Sequence, residues 1–206
     1  MGDGHDHPET VTGKASSPLA ARAMEELLIE KGVVTEAEIQ DNIAYMDSRS
    51  PANGAGMVAR AWTDRDLRER LLADGKVAAI ELGIDAAASP KLVVVENTPG
   101  THNLIVCTLC SCYPRNVLGR PPDWYKSFAY RSRAVREPRA ILREFGFEPP
   151  EGTRVAVHDS TAAVRYMVLP MRPPGTEDMD EGELAASVTR DSLVGVNVPR
   201  TPAAQA

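Results

Sequence analysis

The sequence Cys107-Thr108-Leu109-Cys110-Ser111-Cys112 contains all three cysteines of this 206-residue chain. An odd number of cysteines within one tight turn excludes a disulfide framework. Four-cysteine zinc sites and iron–sulfur clusters are also excluded, unless another chain supplies a ligand. Three soft sulfur ligands within one turn nevertheless predict a metal or redox centre here.

Three kinds of centre remain open from the residues alone. The first is a zinc site in which His102 or His158 joins the three sulfurs, as in a zinc-stabilised binding module. The second is a claw in which the three sulfurs and two peptide nitrogens of Cys110-Ser111-Cys112 bind one small trivalent ion and leave a sixth position open for chemistry. The third is a redox-active thiol pair, which the lack of a thioredoxin-like βαβ setting disfavours.

Outward from the turn, the pattern predicts an α+β fold with an N-terminal helical arm followed by a layered α-β-β-α C-terminal domain. Helix-start signals precede the turn at Ser17-Pro18, Thr35 and Thr63. Ser50–Gly54 is predicted as a break, and a further helix is predicted over Ala55–Trp62. Short apolar runs predict strands at 91–95, 103–106, 153–158, 164–169 and 193–198. We therefore predict a disordered tail at 1–17, the helical arm at 18–88 and the α+β metal-binding domain at 89–206.

Composition predicts a soluble, cytoplasmic protein. The chain is 43% hydrophobic and 25% charged, and its apolar runs are too short to span a bilayer. The N-terminus lacks the apolar core of a signal peptide, and its Asp3, His5, Asp6 and His7 are more typical of a solvated tail than of a metal site. The net charge of −6 argues against nucleic acid as a partner.

Residues 113–145 depart from the acidic average of the chain. They hold eight basic and three acidic residues, and seven of the eight basic residues are arginine. Arginine is favoured at interfaces and in bidentate pairing, so the block predicts either an anion- or partner-binding face or a solvated helical surface.

The segment Val106–Pro114, Val-Cys-Thr-Leu-Cys-Ser-Cys-Tyr-Pro, resembles the metal claw of the nitrile hydratase α-subunit family. Further segments resemble the same family, so the similarity covers roughly residues 19–198. They are Ala61–Asp64, Glu96–Thr98, Val117–Ser127, Tyr130–Arg139, Arg165–Pro170, Arg172–Thr176 and Val188–Val196.

The resemblance implies hydration of a nitrile to its amide at a cobalt(III) centre, with iron(III) as the alternative. Cys107, Cys110 and Cys112 would supply sulfur, and the main-chain nitrogens of Ser111 and Cys112 would complete the ligand set. The family oxidises the cysteine at Cys110 to sulfinic acid and the one at Cys112 to sulfenic acid, so Cys110, Ser111 and Cys112 are the candidate catalytic residues. Thr108, rather than serine, resembles the cobalt branch.

The resemblance also implies that the chain acts only with a partner. The family places its active site at the interface with a β-type subunit, in a hetero-oligomer, and often needs an activator protein for cobalt insertion. Arg165 and Asp159 match family positions near the core, which makes them candidate supports of the claw or, alternatively, a buried structural ion pair. Tyr113 is a candidate residue of the substrate pocket.

One departure from the family pattern bears on substrate. Most nitrile hydratases have Trp-Pro after Tyr-Pro, whereas this chain has Arg115-Asn116. A guanidinium in place of an indole predicts a polar, bulky or anionic substrate, or alternatively a salt bridge to the partner. The γ-subunit of thiocyanate hydrolase, which shares the claw and has arginine here, is therefore the main alternative. A nitrile hydratase for a nucleoside nitrile such as toyocamycin is another.

Overall fold

The structure, a computed structural model, describes residues 18–200, and its compact units separate between Tyr45 and Met46. The described part of the first unit contains helix α1 (Pro18–Glu30) and most of helix α2 (Glu36–Asp47). The predicted capping box opens α2, because the Thr35 hydroxyl accepts from the Glu38 N–H at 3.1 Å and the Glu38 carboxylate accepts from the Thr35 N–H at 2.8 Å. Neither helix contains a buried residue.

The second unit, as far as residue 200, combines short helices with four strands. In chain order they are α3 (Pro51–Thr63), α4 (Arg65–Ala73), α5 (Gly75–Glu81), β1 (Lys91–Glu96), β2 (Thr101–Val106), α6 (Arg115–Leu118), α7 (Asp123–Lys126), α8 (Phe128–Arg136), α9 (Pro138–Glu144), β3 (Arg154–Asp159), β4 (Val164–Leu169), α10 (Glu181–Ser187) and α11 (Arg190–Val194). The predicted α+β class is confirmed. No helix within residues 18–200 is long and apolar enough to cross a membrane.

The strands form two parallel pairs rather than one sheet. β1 pairs with β4 from Lys91↔Val164 to Glu96↔Leu169. β2 pairs with β3, and this register sets Val106 opposite Asp159. Pairing extends one residue further, since the Ser160 N–H donates to the Val106 carbonyl at 2.7 Å. The last residue of β3 therefore lies beside the point where the cysteine turn begins.

β2 runs through the hydrophobic core. Its last three residues and Cys107 after them are at most 1% exposed. Met57 and Leu71 from the helices before β1, and Tyr125 and Leu142 from those after β2, belong to the same core. The cysteine turn thus leaves from the best-packed strand of the unit, which fixes the position of Cys107.

Three local predictions are corrected by the structure. α3 begins at Pro51, inside the predicted break, because the Ser50 hydroxyl accepts from the Ala52 N–H and proline suits the first helical position. Asp64, not Thr63, caps α4. The segment predicted as a strand at 193–198 instead contains the end of α11. The proposed divisions at residues 17 and 88 stay predictions.

Candidate metal centre

The three thiols of the turn converge on one point. The Sγ atoms of Cys107 and Cys110 lie 3.5 Å apart, and those of Cys110 and Cys112 lie 3.2 Å apart. All three sulfurs lie within 4.8 Å of one another and can hold a single metal ion. Cys107 is buried, Cys112 is half-buried and Cys110 is exposed. One sulfur therefore anchors the group in the core while another faces outward.

The donor set suits a soft or borderline transition metal. The Cys110 N–H donates to Cys107 Sγ at 3.2 Å, which folds the turn back on itself. The pKa of Cys110 is lowered, first because the Cys112 and Cys107 thiols hydrogen-bond to it and further because the main-chain N–H groups of Cys112 and Ser111 do. Ser111 lies between Cys110 and Cys112, whose sulfurs are 3.2 Å apart, so its backbone borders the sulfur cluster.

Burial raises the pKa of Cys112 to about 12, and its hydrogen bond to Cys110 acts in the same direction. The positive charge of Arg165, on β4, opposes this shift. The structure therefore places Arg165 within electrostatic reach of Cys112, where a cation favours the thiolate that a metal needs.

The Asp159 carboxylate binds the turn at Thr108. It accepts from the Thr108 N–H at 2.9 Å and from the Thr108 hydroxyl at 2.5 Å. From the other side, Arg131 of α8 donates to the Thr108 carbonyl at 3.4 Å. Every polar group of Thr108 is thus held, so the turn has a defined shape before any metal binds.

Two tyrosines that sequence reasoning missed hydrogen-bond to the main chain at the end of the turn and in the strand before it. The Tyr125 hydroxyl donates to the Cys112 carbonyl at 2.9 Å, and the Tyr130 hydroxyl donates to the Ile105 carbonyl at 2.6 Å. Tyr113 packs edge-on against Tyr125 with ring centroids 4.9 Å apart. Neither supporting tyrosine carries a spacing signal, because these contacts span 13 and 25 residues of chain.

Tyr113 lies in the core rather than on an open surface. It is 4% exposed, and burial raises the pKa of its phenol. Its hydroxyl has no hydrogen-bond partner among residues 18–200. Ser111 is half-buried within the turn, and the neighbouring Leu109 is 88% exposed.

Arg115 begins α6 just after the turn, and it is exposed. Its guanidinium makes no hydrogen bond or ion pair with any residue from 18 to 200. Most other arginines of the basic block bind their neighbours: Arg133, for example, pairs with both Glu137 and Glu144. Among the described residues Arg115 is thus an unpaired cation, three positions after Cys112 in the chain.

The histidines considered as zinc ligands lie elsewhere. His102 Nε2 is 2.7 Å from the Gly195 carbonyl, and its Nδ1 is 3.3 Å from Asn97 Nδ2. His158 Nε2 is 2.8 Å from Asn103 Oδ1. Within the part of the chain that the structure describes, the cysteine group contains no histidine. The candidate tail site at Asp3, His5, Asp6 and His7 lies outside the described residues.

Comparison with known proteins identifies the family that uses this turn. The family model for the nitrile hydratase α chain matches residues 15–197. The chain belongs to the nitrile hydratase α-chain family. The α subunit of a low-molecular-weight cobalt-containing nitrile hydratase from Rhodococcus rhodochrous is 47% identical over 201 residues, which are 96% of this chain and 97% of that subunit.

A sister enzyme and a solved structure extend the nitrile hydratase comparison. The γ subunit of thiocyanate hydrolase from Thiobacillus thioparus is 40% identical over 189 residues, covering 86% of this chain and 78% of that subunit. The structure of a double mutant of the Fe-type nitrile hydratase from Comamonas testosteroni Ni1 is 42% identical with a TM-score of 0.86, covering 95% of this chain and 98% of that chain. The resemblance seen in the sequence is confirmed.

Proposed function

We propose that this chain is the α-type subunit of a nitrile hydratase, a lyase that adds water to a nitrile and yields the amide. The convergence of three sulfurs within 4.8 Å, in a member of this family, carries the proposal. The exposed edge of the turn at Thr108, Leu109 and Cys110 gives a substrate access to the group.

Cobalt(III) is the proposed metal, held by the sulfurs of Cys107, Cys110 and Cys112 and by the main-chain nitrogens of Ser111 and Cys112. The cobalt-containing relatives support this choice, and the Fe-type structure supports iron as the alternative. When bound, such an ion supplies Lewis acidity toward water or the nitrile. The fold of the turn, with the Cys110 N–H on Cys107 Sγ and the Cys110 and Cys112 sulfurs 3.2 Å apart, supports this ligand set.

Oxidation of Cys110 to sulfinic acid and of Cys112 to sulfenic acid belongs to the same proposal. Exposure favours oxidation, and Cys110 is exposed while Cys112 is half-buried. Cys107 is buried and is proposed to remain a thiolate. The oxygen atoms on Cys110 and Cys112 would then border the place where the nitrile meets water.

The chain's own residues contribute positioning. Asp159 and Arg131 hold Thr108, and the Tyr125 hydroxyl holds the Cys112 carbonyl. These contacts fix both ends of the turn, so that donor atoms need little reorganisation. Arg165 places a positive charge near Cys112 and favours its ionised form. The Ser111 hydroxyl and the Tyr113 ring border the same segment.

A β-type subunit is the proposed partner, and its surface completes the pocket over the exposed turn. The described helices of the first unit bury none of their own residues, although α1 exposes Leu19, Met24 and Leu27. Apolar residues left uncovered in this way are typical of an interaction surface. A cobalt-insertion protein and a cytoplasmic location complete the proposal.

Arg115 points to a polar, bulky or anionic substrate, because an unpaired guanidinium recognises acceptor or anionic groups. A nucleoside nitrile fits the first two descriptions. Thiocyanate fits the third, and the thiocyanate hydrolase relative makes that reaction the second candidate function.

The test is to produce the chain with its β-type subunit in cobalt-containing medium. Metal analysis is expected to find about one cobalt per chain, and peptide mass spectrometry is expected to find added oxygen on Cys110 and Cys112 only. The complex is then assayed with an aliphatic nitrile, a nucleoside nitrile and thiocyanate. Zinc bound to unmodified cysteines would contradict the proposal and favour a binding module. Turnover of thiocyanate alone would favour the sister activity.

A further inference from the structure

Asn116, the residue after Arg115, joins α6 to two other segments of the second unit. Its side-chain oxygen accepts from the Ser89 hydroxyl at 2.5 Å, and its side-chain nitrogen donates to the Asp85 carbonyl. Its own main-chain carbonyl accepts from Asn53 Nδ2 at 2.9 Å. A single residue of α6 therefore binds both α3 and the loop that leads into β1.

The segments that Asn116 binds are themselves held. Lys76 of α5 donates to the Ser89 carbonyl at 2.8 Å. α6 also packs closely on α3, because a Cβ at Gly54 would meet the Val117 carbonyl and the Leu118 side chain at 3.0 Å. At the end of α6, a Cβ at Gly119 would lie 2.6 Å from the Arg49 carbonyl. The backbone around Asn116 has little room to move.

Arg115 contrasts with its neighbour. Its main-chain N–H donates to the Tyr113 carbonyl at 2.9 Å and its carbonyl accepts from the Gly119 N–H at 2.8 Å, so the backbone is fixed. Its guanidinium is exposed and unpaired among the described residues. A long cation on a fixed base, two residues beyond Tyr113, is suited to meet a charged group arriving at the turn.

We propose that Asn116 is the positioning residue for Arg115, and that the pair selects nitriles carrying an anionic group. The inference rests on the proposed function. Asn116 itself touches no substrate. Its side-chain hydrogen bonds hold the Arg115 backbone at one place relative to Cys112, so that an ion pair with the substrate orders only the arginine side chain.

The test compares two nitriles of equal chain length on the cobalt-loaded complex, one neutral and one ending in a carboxylate. The readout is the ratio of kcat/KM for the charged nitrile to that for the neutral one. Asn116→Ala and Arg115→Ala are each expected to lower this ratio about fivefold. Because Asn116 acts through Arg115, the double variant should lower it no further than about twofold beyond either single change.

Asn197→Ala is the matched control. Asn197 is also half-buried, and its side chain likewise donates to a main-chain carbonyl, that of Phe145, at 2.8 Å and accepts a main-chain N–H, that of Val198, at 2.8 Å. This variant should leave the ratio unchanged. A ratio unchanged in Asn116→Ala, or additive losses in the double variant, would overturn the proposal.

Failure of the proposed function has a different signature. A wild-type complex that hydrates neither nitrile refutes nitrile hydration. The affinities of the complex for the charged and the neutral nitrile are then measured by calorimetric titration, and their ratio replaces the ratio of kcat/KM. Hydrogen exchange of the complex adds a readout independent of activity, because Asn116→Ala should speed exchange in residues 115–119 and Asn197→Ala should not. Unchanged exchange there, or equal affinities for the two nitriles in the wild type, would refute the positioning role.

Discussion

Arg115, which follows the cysteine turn in the chain, can be replaced to change side-chain size and charge there without altering a metal ligand. It is exposed, so replacing its side chain breaks no hydrogen bond or ion pair within residues 18–200. Arg115→Trp removes a cation and adds a large apolar ring beside the turn. We expect the rate on a small aliphatic nitrile, relative to thiocyanate and to a nucleoside nitrile, to rise by about tenfold. Steady-state assays of the cobalt complex measure this ratio.

Arg120→Trp provides the control for that substitution. Arg120 is exposed and lies just beyond α6, where it pairs with Asp47 at 3.1 Å. The same chemical change at this position should leave the relative rates as they are in the wild type. Equal relative rates in Arg115→Trp and in the wild type would count against any role of Arg115 in the pocket.

Gly195 is the position on which the end of α11 depends. Its φ of +85° is left-handed, and a Cβ there would lie only 2.0 Å from the Asn103 carbonyl of β2. Gly195→Ala is therefore expected to cost about 3 kcal/mol or more of the free energy of unfolding. Gly146→Ala, where φ is +83° and no atom lies within 4 Å, should cost only about 1 kcal/mol. Denaturant unfolding of the two variants tests the difference, and equal losses would show that the close contact is unimportant.

The end of α11 also shows where sequence reasoning failed. Leu193-Val-Gly-Val-Asn-Val198 alternates in polarity like a strand, yet Thr189 and Ser192 form a capping box that starts a helix, and Gly195 ends it. The local hydrogen bonds of this cap and the left-handed Gly195 outweigh the alternation. The predicted strands at 91–95, 103–106, 153–158 and 164–169 were confirmed, but their pairing was not predictable, since it joins residues more than fifty positions apart.

The candidate site, like the fold, has a part that the sequence predicts and a part that it does not. The three cysteines lie within six residues of chain, so their convergence could be predicted from the spacing. Their supports come from distant elements, as when Asp159 reaches Thr108 through the β2–β3 register and Tyr125 reaches the Cys112 carbonyl. The hydrogen bonds of Asn116 likewise depend on how α3 and the loop before β1 pack. Contacts of this kind require the tertiary structure.

Within the larger unit, a hydrogen-bonded chain of polar side chains joins the end of β1 to β2 and β3. Asn97 Oδ1 accepts from the Asn103 N–H at 2.8 Å and from Asn103 Nδ2 at 3.0 Å. His102 and His158 flank this pair, one bound to Asn97 and the other to Asn103. Buried polar groups are stable only when hydrogen-bonded, so this network favours one arrangement of β2 and of the turn that follows it.

The two histidines make the stability of this unit dependent on pH. Burial lowers the pKa of His102, and burial together with the charge of Arg154 lowers the pKa of His158. The unfolded chain, with histidine pKa values near about 6.5, therefore binds more protons below that pH than the folded chain does. The stabilisation is complete above about pH 6.5 and is lost as the pH falls through that value toward the folded pKa.

His158→Gln tests this dependence, because an amide N–H can replace the hydrogen bond to Asn103 but does not titrate. Between pH 8.0 and 6.0 the thermal midpoint of the wild-type complex is expected to fall, and that of the variant is expected to fall less. The difference between the two falls isolates His158, since the cysteine turn and the carboxylates are the same in both proteins. If the thermal midpoint falls equally in the wild type and in His158→Gln, the pH dependence belongs to other groups. The pKa of His158 would then be the same in the folded and in the unfolded chain.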